Sequence, residues 1–170
     1  MVKIFLENDF NKIYDIMEKS FPTSEIRSFK GQKELLKDDR YTIYCSYDKD
    51  KVIGVLCVWS LNGFFFLEHF AVHPDYRNKG VGTKLIKEVC EKLNGFTFLE
   101  VEPPETLTQK RRVDFYKRLG FFINDYEYFQ PSFGKDLPAV PLKIMTYGKE
   151  VSMDEFLKIK AVVYKEVYHQ

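Results

Sequence analysis

The sequence predicts an α/β fold of the mixed α+β kind, in which a mostly antiparallel seven-stranded sheet carries helices on both faces. Runs rich in β-branched and aromatic residues alternate along the chain with segments whose apolar residues recur every three or four positions. Neither a repeat nor a low-complexity linker interrupts the 170 residues. We therefore expect a single domain over residues 1–170.

The N-terminal half is predicted as a short strand, two helices and three strands. Apolar residues from Phe10 to Phe21 recur with helical spacing, and Pro22 closes this first helix. A weaker pattern predicts a second helix from about Ser24 to Lys37. The extended runs YTIYCSY, KVIGVLCVWS and FFFLEHFAV follow, separated by the turn formers DKD and LNG. These runs predict an antiparallel meander.

The period changes at Gly80, where the C-terminal half begins. Apolar residues then fall on one side of a helix and charged residues on the other, as far as Asn94 and Gly95. The remaining elements are predicted as the strand FTFLEVE, a helix from Leu107 to Leu119 opened by a capping box of Thr106 and Gln109, the strand FFINDYEYF, the loop QPSFGKDLPAVP, the strand LKIMTY, and a helix opened by Ser152 and Glu155.

Composition narrows the classes of function. A net charge of +1 gives no global field that would draw the chain onto nucleic acid, and no window approaches the roughly 18 apolar residues of a membrane span. The N-terminal segment lacks the apolar core of a signal peptide, and the three cysteines lie in apolar runs without the short spacing of a metal cluster. We expect a cytoplasmic protein with reduced thiols and no metal, which binds neither nucleic acid nor membrane.

The segment HPDYRNKGVGTKLI joins a buried strand to a charged helix. Its glycine spacing fits neither the P-loop nor the dinucleotide fingerprint, which needs a glycine where this chain has Leu85. Gly80 and Gly82 let a ligand approach the backbone, and the first-turn amides of the helix point at it with the positive end of the helix dipole. Arg77 and Lys79 add charge. A pyrophosphate suits this geometry, although Gly-x-Gly also makes a tight turn without any ligand.

This segment, together with FYKRLGF at Phe115 to Phe121, resembles the GNAT superfamily of acyl-CoA-dependent N-acyltransferases. The motif Arg/Gln-x-x-Gly-x-Gly/Ala is met at Arg77, Gly80 and Gly82, and the family's order of elements is matched from about Val52 to Phe121. The resemblance implies a sheet splayed between its fourth and fifth strands. It also implies acetyl-CoA as the acyl donor, with its pantetheine arm in the gap.

The resemblance assigns cofactor positions in the strand and the loop. Backbone groups of Phe70 and Val72 would pair with pantetheine, and the N–H of Phe70 or its neighbour would polarise the thioester carbonyl. Gln109 stands where the family often has an asparagine, although its place in a capping box explains it equally. The cofactor-binding residues implied are Phe70, Ala71, Val72, Arg77, Asn78, Lys79, Gly80, Val81, Gly82, Thr83 and Gln109.

Tyr116 matches the family's tyrosine, whose hydroxyl protonates the departing CoA thiolate. A tyrosine that only packs in the core is the alternative. The reaction implied is direct attack by a neutral amine on acetyl-CoA in a ternary complex, without a covalent enzyme intermediate.

Glu68 is the candidate base that takes the proton of the amine, directly or through water. It lies two residues before Phe70 and therefore on the same face of the strand. Its alternative role is to order the sheet or to attract a cationic substrate, and Glu100 and Glu102 are rivals for either role. His69 is expected on the opposite face, as a core or helix-facing histidine.

The acceptor side is expected to combine the first two helices and their link with the loop QPSFGKDLPAVP. The candidate substrate-binding residues are Phe21, Phe29, Glu102 and Phe133. A primary amine of a small molecule or amino-acid derivative is the expected acceptor, and a peptide or protein amine is the alternative. An acyl-CoA sensor that does not transfer the group is a further alternative. The aromatic last strands and the C-terminal helix fit either a homodimer or a core.

Overall fold

The structure is a computed structural model, and it describes residues 2–131 and 138–169. Within these ranges seven strands and five α-helices follow the predicted order. The strands are β1 (Val2–Ile4), β2 (Tyr41–Asp48), β3 (Lys51–Leu61), β4 (Phe64–Val72), β5 (Phe96–Val101), β6 (Phe121–Gln130) and β7 (Val140–Tyr147). The helices are α1 (Phe10–Glu18), α2 (Phe29–Glu34), α3 (Val81–Leu93), α4 (Leu107–Arg118) and α5 (Met153–Glu166).

The strands form a seven-stranded sheet in the order β1-β2-β3-β4-β5-β7-β6. The pairs β1–β2, β2–β3, β5–β7 and β6–β7 are antiparallel, and the parallel pair is β4 and β5. The predicted α/β fold with a mostly antiparallel seven-stranded sheet is therefore confirmed. The splay between β4 and β5 stays a prediction.

The chain divides into two compact units. The first unit comprises Met1–Ser60 and Leu67–Asn94, and the second comprises Leu61–Phe66 and Gly95–Gln170. The first unit thus holds α1, α2, α3 and the C-terminal part of β4, and the second holds α4, α5 and the last three strands. That residues 1–170 form a single domain stays a prediction.

Helix boundaries in the first unit follow their caps. α1 ends at Glu18, three residues before the predicted end at Phe21. The predicted start of the second helix at Ser24 is wrong, because α2 begins only after Ser28, whose Oγ accepts a hydrogen bond from the N–H of Gly31 at 3.2 Å. The residues before Ser28 are therefore available as an irregular link between α1 and α2.

The helix α3 carries the predicted apolar stripe into the core of the first unit. Its buried residues are Leu85, Ile86, Val89 and Cys90. Residues with left-handed backbone bracket it, Gly80 before its first turn and Asn94 after its last. The helix therefore starts and stops where the sequence predicts.

Capping boxes and a buried amide fix the second unit. Both predicted capping boxes, at the starts of α4 and α5, are formed. Asn124 lies at a register shift in β6, where its Oδ1 accepts from the N–H of Val151 at 2.8 Å and its Nδ2 donates to Thr146 Oγ1 at 3.0 Å. Phe66, at the start of β4, stacks on Phe98 of β5 with ring centroids 5.2 Å apart.

The three cysteines are buried, as predicted for packed thiols. Burial raises the pKa of Cys45 and of Cys90 to about 12, so both thiols stay protonated at neutral pH. Among residues 2–131 and 138–169, none of the helices combines the length and the apolar character needed to cross a bilayer. The same ranges contain no cluster of three or more side chains suited to hold a metal ion.

Candidate active site

The loop before α3 has the backbone that the sequence predicts for close contact with a ligand. Asn78 has a φ of 59° and Gly80 a φ of 77°, both in the left-handed region. These two residues turn the chain from the end of β4 into the first turn of α3. The N–H of Lys84 already bonds to the carbonyl of Gly80 at 3.0 Å, so the N–H groups of Val81 to Thr83 precede the first intrahelical donor. They are available to an anion.

Gly82 lies where the first turn of α3 packs against the end of β4. A Cβ built at this position would lie 2.6 Å from Cζ of Phe70 and 3.3 Å from Cγ2 of Val72. The missing side chain therefore lets the helix N-terminus approach the strand that the resemblance assigns to pantetheine. The structure thus brings Phe70, Val72 and the glycine loop together within the first unit.

The basic residues of the loop are held by specific contacts. The Nε of Arg77 donates to the carbonyl of Val72 at 3.1 Å, which ties the motif arginine to the last residue of β4. The ammonium of Lys79 lies 5.3 Å from the ring centre of Tyr76, and the Tyr76 hydroxyl donates to Asp48 at 2.9 Å. Arg77 and Lys79 thus add positive charge beside the first-turn amides of α3.

Glu68 lies in a buried ionic cluster and not on an open surface. Its side chain is 2% exposed, and its Oε1 accepts from Nη1 of Arg27 at 2.6 Å, with Arg27 13% exposed. Burial alone would raise the pKa of Glu68, but its interactions with Arg27 and His69 lower it to about 2. The carboxylate is therefore ionised at neutral pH and firmly paired.

His69 belongs to the same cluster. Its ring is buried, as the sequence predicts, and packs edge-on against Phe21 at 5.1 Å between ring centres. Its Nε2 lies 2.9 Å from the carbonyl oxygen of Glu25. Its Nδ1 lies 3.3 Å from Oε2 of Glu68. Strand alternation alone therefore misses the approach of the two side chains.

Tyr116 and Gln109 both lie on α4, in the second unit. Tyr116 is 7% exposed and packs edge-on against Phe115 and Phe121. Burial raises its pKa to about 12, partly offset by the charge of Arg112, so the phenol keeps its proton at neutral pH. The Oε1 of Gln109 accepts from the N–H of Thr106 at 2.8 Å, which completes the predicted capping box.

The two rival carboxylates, Glu100 in β5 and Glu102 directly after it, are engaged in different ways. Glu102 forms an ion pair with Arg112, and both side chains are partly exposed. Glu100 accepts hydrogen bonds on both oxygens, from the hydroxyl of Tyr128 and, at 2.8 Å, from that of Tyr168. Each carboxylate is held in a fixed orientation inside the second unit.

The candidate acceptor residues of the first unit lie in two places. Phe21 contacts His69, whereas Phe29 is 40% exposed and packs edge-on against Phe10 and Tyr14. Phe133 lies outside the described residues. Sequence reasoning missed Arg27, which carries no local pattern and meets Glu68 only through the fold, 41 residues further along the chain.

Comparison with known proteins agrees with this geometry. A family model described as "Acetyltransferase (GNAT) family" matches residues 10–121. The protein YjbC of Bacillus subtilis (strain 168) is 33% identical over 111 residues, which are 64% of this chain and 55% of that protein. The match thus spans about half the length of that relative.

Solved structures share the fold. A GNAT-family protein from Bacteroides thetaiotaomicron has a TM-score of 0.92 and 27% identity, and the alignment covers 100% of this chain and 99% of that one. The ribosomal-protein-S18-alanine N-acetyltransferase from Escherichia coli has a TM-score of 0.68 and 19% identity, over 89% of this chain and 95% of that one, a likeness of fold alone. Because the family model matches more than half of the chain, the protein belongs to the GNAT family of acetyltransferases.

Proposed function

We propose that the protein is an acyltransferase that moves the acetyl group of acetyl-CoA to a primary amine of a small molecule or amino-acid derivative. One observation carries the proposal: a left-handed Gly80 turns the loop into the first turn of α3, and Gly82 has no side chain between this turn and Phe70. An N-terminal helix turn that a phosphate can approach closely is a ready anion site. The family membership supports the same assignment.

The residues of the loop fit the pyrophosphate of CoA. The amides from Asn78 to Thr83 would hold it, with Arg77 and Lys79 supplying charge, and Phe70, Ala71 and Val72 would present backbone groups to the pantetheine arm. Acetyl-CoA supplies an activated acyl group as a thioester. In the transfer, the amine nitrogen bonds to the acetyl carbon and the carbon–sulfur bond breaks, so the thiolate needs a proton and the amine must lose one.

Tyr116 is the proposed proton donor to the sulfur. A phenol with a pKa of about 12 keeps its proton at neutral pH, and a buried helix position holds it in one orientation. Gln109 lies in the first turn of the same helix, α4. It would contact CoA only through atoms that the capping box does not use.

Glu68 enters this proposal as a positioning residue and not as the base expected from the sequence. A carboxylate whose pKa is lowered to about 2 is a weak base for an alkylammonium with a pKa near 10. The acceptor therefore reacts from its neutral fraction, about one part in a thousand at pH 7, and the proton leaves to water. The rate at fixed total amine should accordingly rise about tenfold per pH unit below the amine's pKa.

The test is release of CoA thiol from acetyl-CoA with a panel of small primary amines and peptides. We expect turnover with at least one small amine, and Tyr116→Phe should lower kcat by about 10²–10⁴ while acetyl-CoA binding persists. Tyr147→Phe, at a 39% exposed tyrosine, is the matched control and should behave as wild type. Binding of acetyl-CoA without its consumption by any amine would contradict the enzyme and favour a sensor.

A further inference from the structure

The cluster of Glu68 and His69 contains two buried polar atoms without a hydrogen-bond partner. Glu68 Oε2 and His69 Nδ1 each have none among residues 2–131 and 138–169, yet they lie 3.3 Å from each other. Both side chains are less than 5% exposed. Leaving two such groups unpaired in the interior is costly, so the way they share protons matters.

The contact of the other ring nitrogen, Nε2, limits which protonation states of His69 are possible. Nε2 faces the carbonyl oxygen of Glu25 at 2.9 Å, and a carbonyl oxygen only accepts, so Nε2 carries a hydrogen. A neutral ring would then present the Nδ1 lone pair to the Glu68 carboxylate. A second hydrogen, on Nδ1, would instead make the 3.3 Å contact an ion pair between an imidazolium and the carboxylate.

The groups around the cluster favour this arrangement. Arg27 donates to the other oxygen of Glu68 and keeps the carboxylate ionised. Tyr41 and Cys57, which interact electrostatically with Glu68 from β2 and β3, both have their pKa raised by burial and stay neutral. Phe21 packs against His69 in a T-shaped arrangement and adds no charge. The ionised carboxylate is therefore the charged group that faces Nδ1.

We propose that His69 is a positioning residue that carries hydrogens on both ring nitrogens and so fastens the link at residues 19–28 to β4. His69 holds the link at the Glu25 carbonyl, Arg27 holds it at Glu68, and the hydroxyl of Tyr14 in α1 donates to the Arg27 carbonyl at 3.1 Å. We call these three contacts the clamp. Because the link carries Phe21, a candidate substrate-binding residue, the clamp orders the acceptor side. Only that consequence rests on the proposed function.

Imidazole ¹⁵N NMR at neutral pH tests the protonation state directly. The chain has three histidines, so His73→Gln and His169→Gln assign the signals. His73 is an internal control, because its Nδ1 accepts from the N–H of Asp75 at 3.3 Å and lies 3.7 Å from the exposed Asp75 carboxylate. We expect both nitrogens of His69 to be protonated in the wild type. An unprotonated Nδ1 in His69 would overturn the proposal.

Two variants test the partner and the clamp. Glu68→Gln should remove the Nδ1 hydrogen at the same pH, whereas Arg27→Lys, which keeps the charge, should retain it. An Nδ1 hydrogen that persists in Glu68→Gln would refute the pairing of His69 with Glu68. If Glu68→Gln does not fold, the protonation state seen in the wild-type spectrum decides the proposal. His69→Phe keeps a ring but loses both donors, so trypsin should cut after Lys19 and Arg27 roughly tenfold faster.

His73→Phe is the matched control for proteolysis and should leave the cleavage rate unchanged. An unchanged rate in His69→Phe would contradict the clamp. None of these readouts needs acetyl-CoA. A protein that shows the doubly protonated His69 but does not bind acetyl-CoA would therefore retain this inference and lose the proposed function.

Discussion

Removal of the Arg27 charge should destabilise the first unit and change how its stability depends on pH. Arg27→Met keeps most of the side-chain volume but leaves the buried Glu68 carboxylate without its closest cation, 2.6 Å away. Breaking a buried pair by removing one partner is strongly unfavourable, because the other charge stays in the interior. The matched control is Lys19→Met, which removes an exposed pair of similar length, 2.7 Å, with Asp15.

The size of the effect follows from the pKa of Glu68. Its fall from an ordinary 4.5 to about 2 corresponds to about 3 kcal/mol of stability. Because the folded pKa lies below the unfolded one, this contribution is fully present above pH 4.5 and is lost as the pH falls towards 2. His69 shares in this net shift and burial opposes it, so the cost of Arg27→Met at pH 7 should be that of breaking a buried pair, about 3–5 kcal/mol. The cost should be smaller near pH 3. Lys19→Met should cost under about 1 kcal/mol at either pH.

The assay is urea unfolding monitored by tryptophan fluorescence. Trp59 is the chain's single tryptophan and is 1% exposed in β3, so its emission reports on the first unit. A double variant, Arg27→Met with Glu68→Gln, removes both charges and should recover most of the lost stability. A cost for Arg27→Met equal to that of Lys19→Met, or equal at pH 7 and pH 3, would refute the reasoning.

Two further variants test the loop and the second unit. Gly80→Ala and its control Gly63→Ala each add a methyl group at a left-handed glycine that has open space around it. Each variant should lower the free energy of unfolding by about 1–2 kcal/mol, because a side chain is strained in this backbone conformation. Only Gly80→Ala should also weaken acetyl-CoA binding, by about tenfold. Equal affinities in a binding titration would contradict the loop assignment. Asn124→Ala leaves the buried N–H of Val151 without its acceptor and should lower the free energy of unfolding by about 2–3 kcal/mol. The control Asn11→Ala, at an exposed position, should lower it by under about 0.5 kcal/mol. Equal urea-unfolding midpoints for the two variants would contradict this prediction.

The order and type of the elements could be predicted because their signals are local. The stripe of α3, the capping boxes and the turn residues each act within a few positions of the chain. The start of α2 was missed because Ser24 and Ser28 are both acceptable caps, and only tertiary structure selects between them. The glycine loop could be predicted down to individual residues. The left-handed backbone at Gly80 and the close packing at Gly82 both favour glycine, and glycine is visible in the sequence.

The electrostatics around Glu68 could not be predicted in the same way. Glu68 was found from its place on β4, but its pairing with Arg27 depends on how the link between α1 and α2 lies on the strand. No periodicity marks Arg27. Alternation in a strand predicts that Glu68 and His69 point to opposite faces, whereas Nδ1 of His69 lies 3.3 Å from Oε2 of Glu68. The structure pairs the Glu68 carboxylate with Arg27, and a role of Glu68 as base stays a prediction.

Thermal unfolding of the purified wild-type protein with and without acetyl-CoA tests the central claim most directly. Acetyl-CoA at one hundred times its Kd should stabilise the protein by about 2.7 kcal/mol and raise the unfolding midpoint by roughly 5–10 °C. Such a shift would establish that the chain binds the acyl donor of its family. An unchanged midpoint with millimolar acetyl-CoA and with longer acyl-CoAs would contradict the account, and the loop before α3 would then be only a turn.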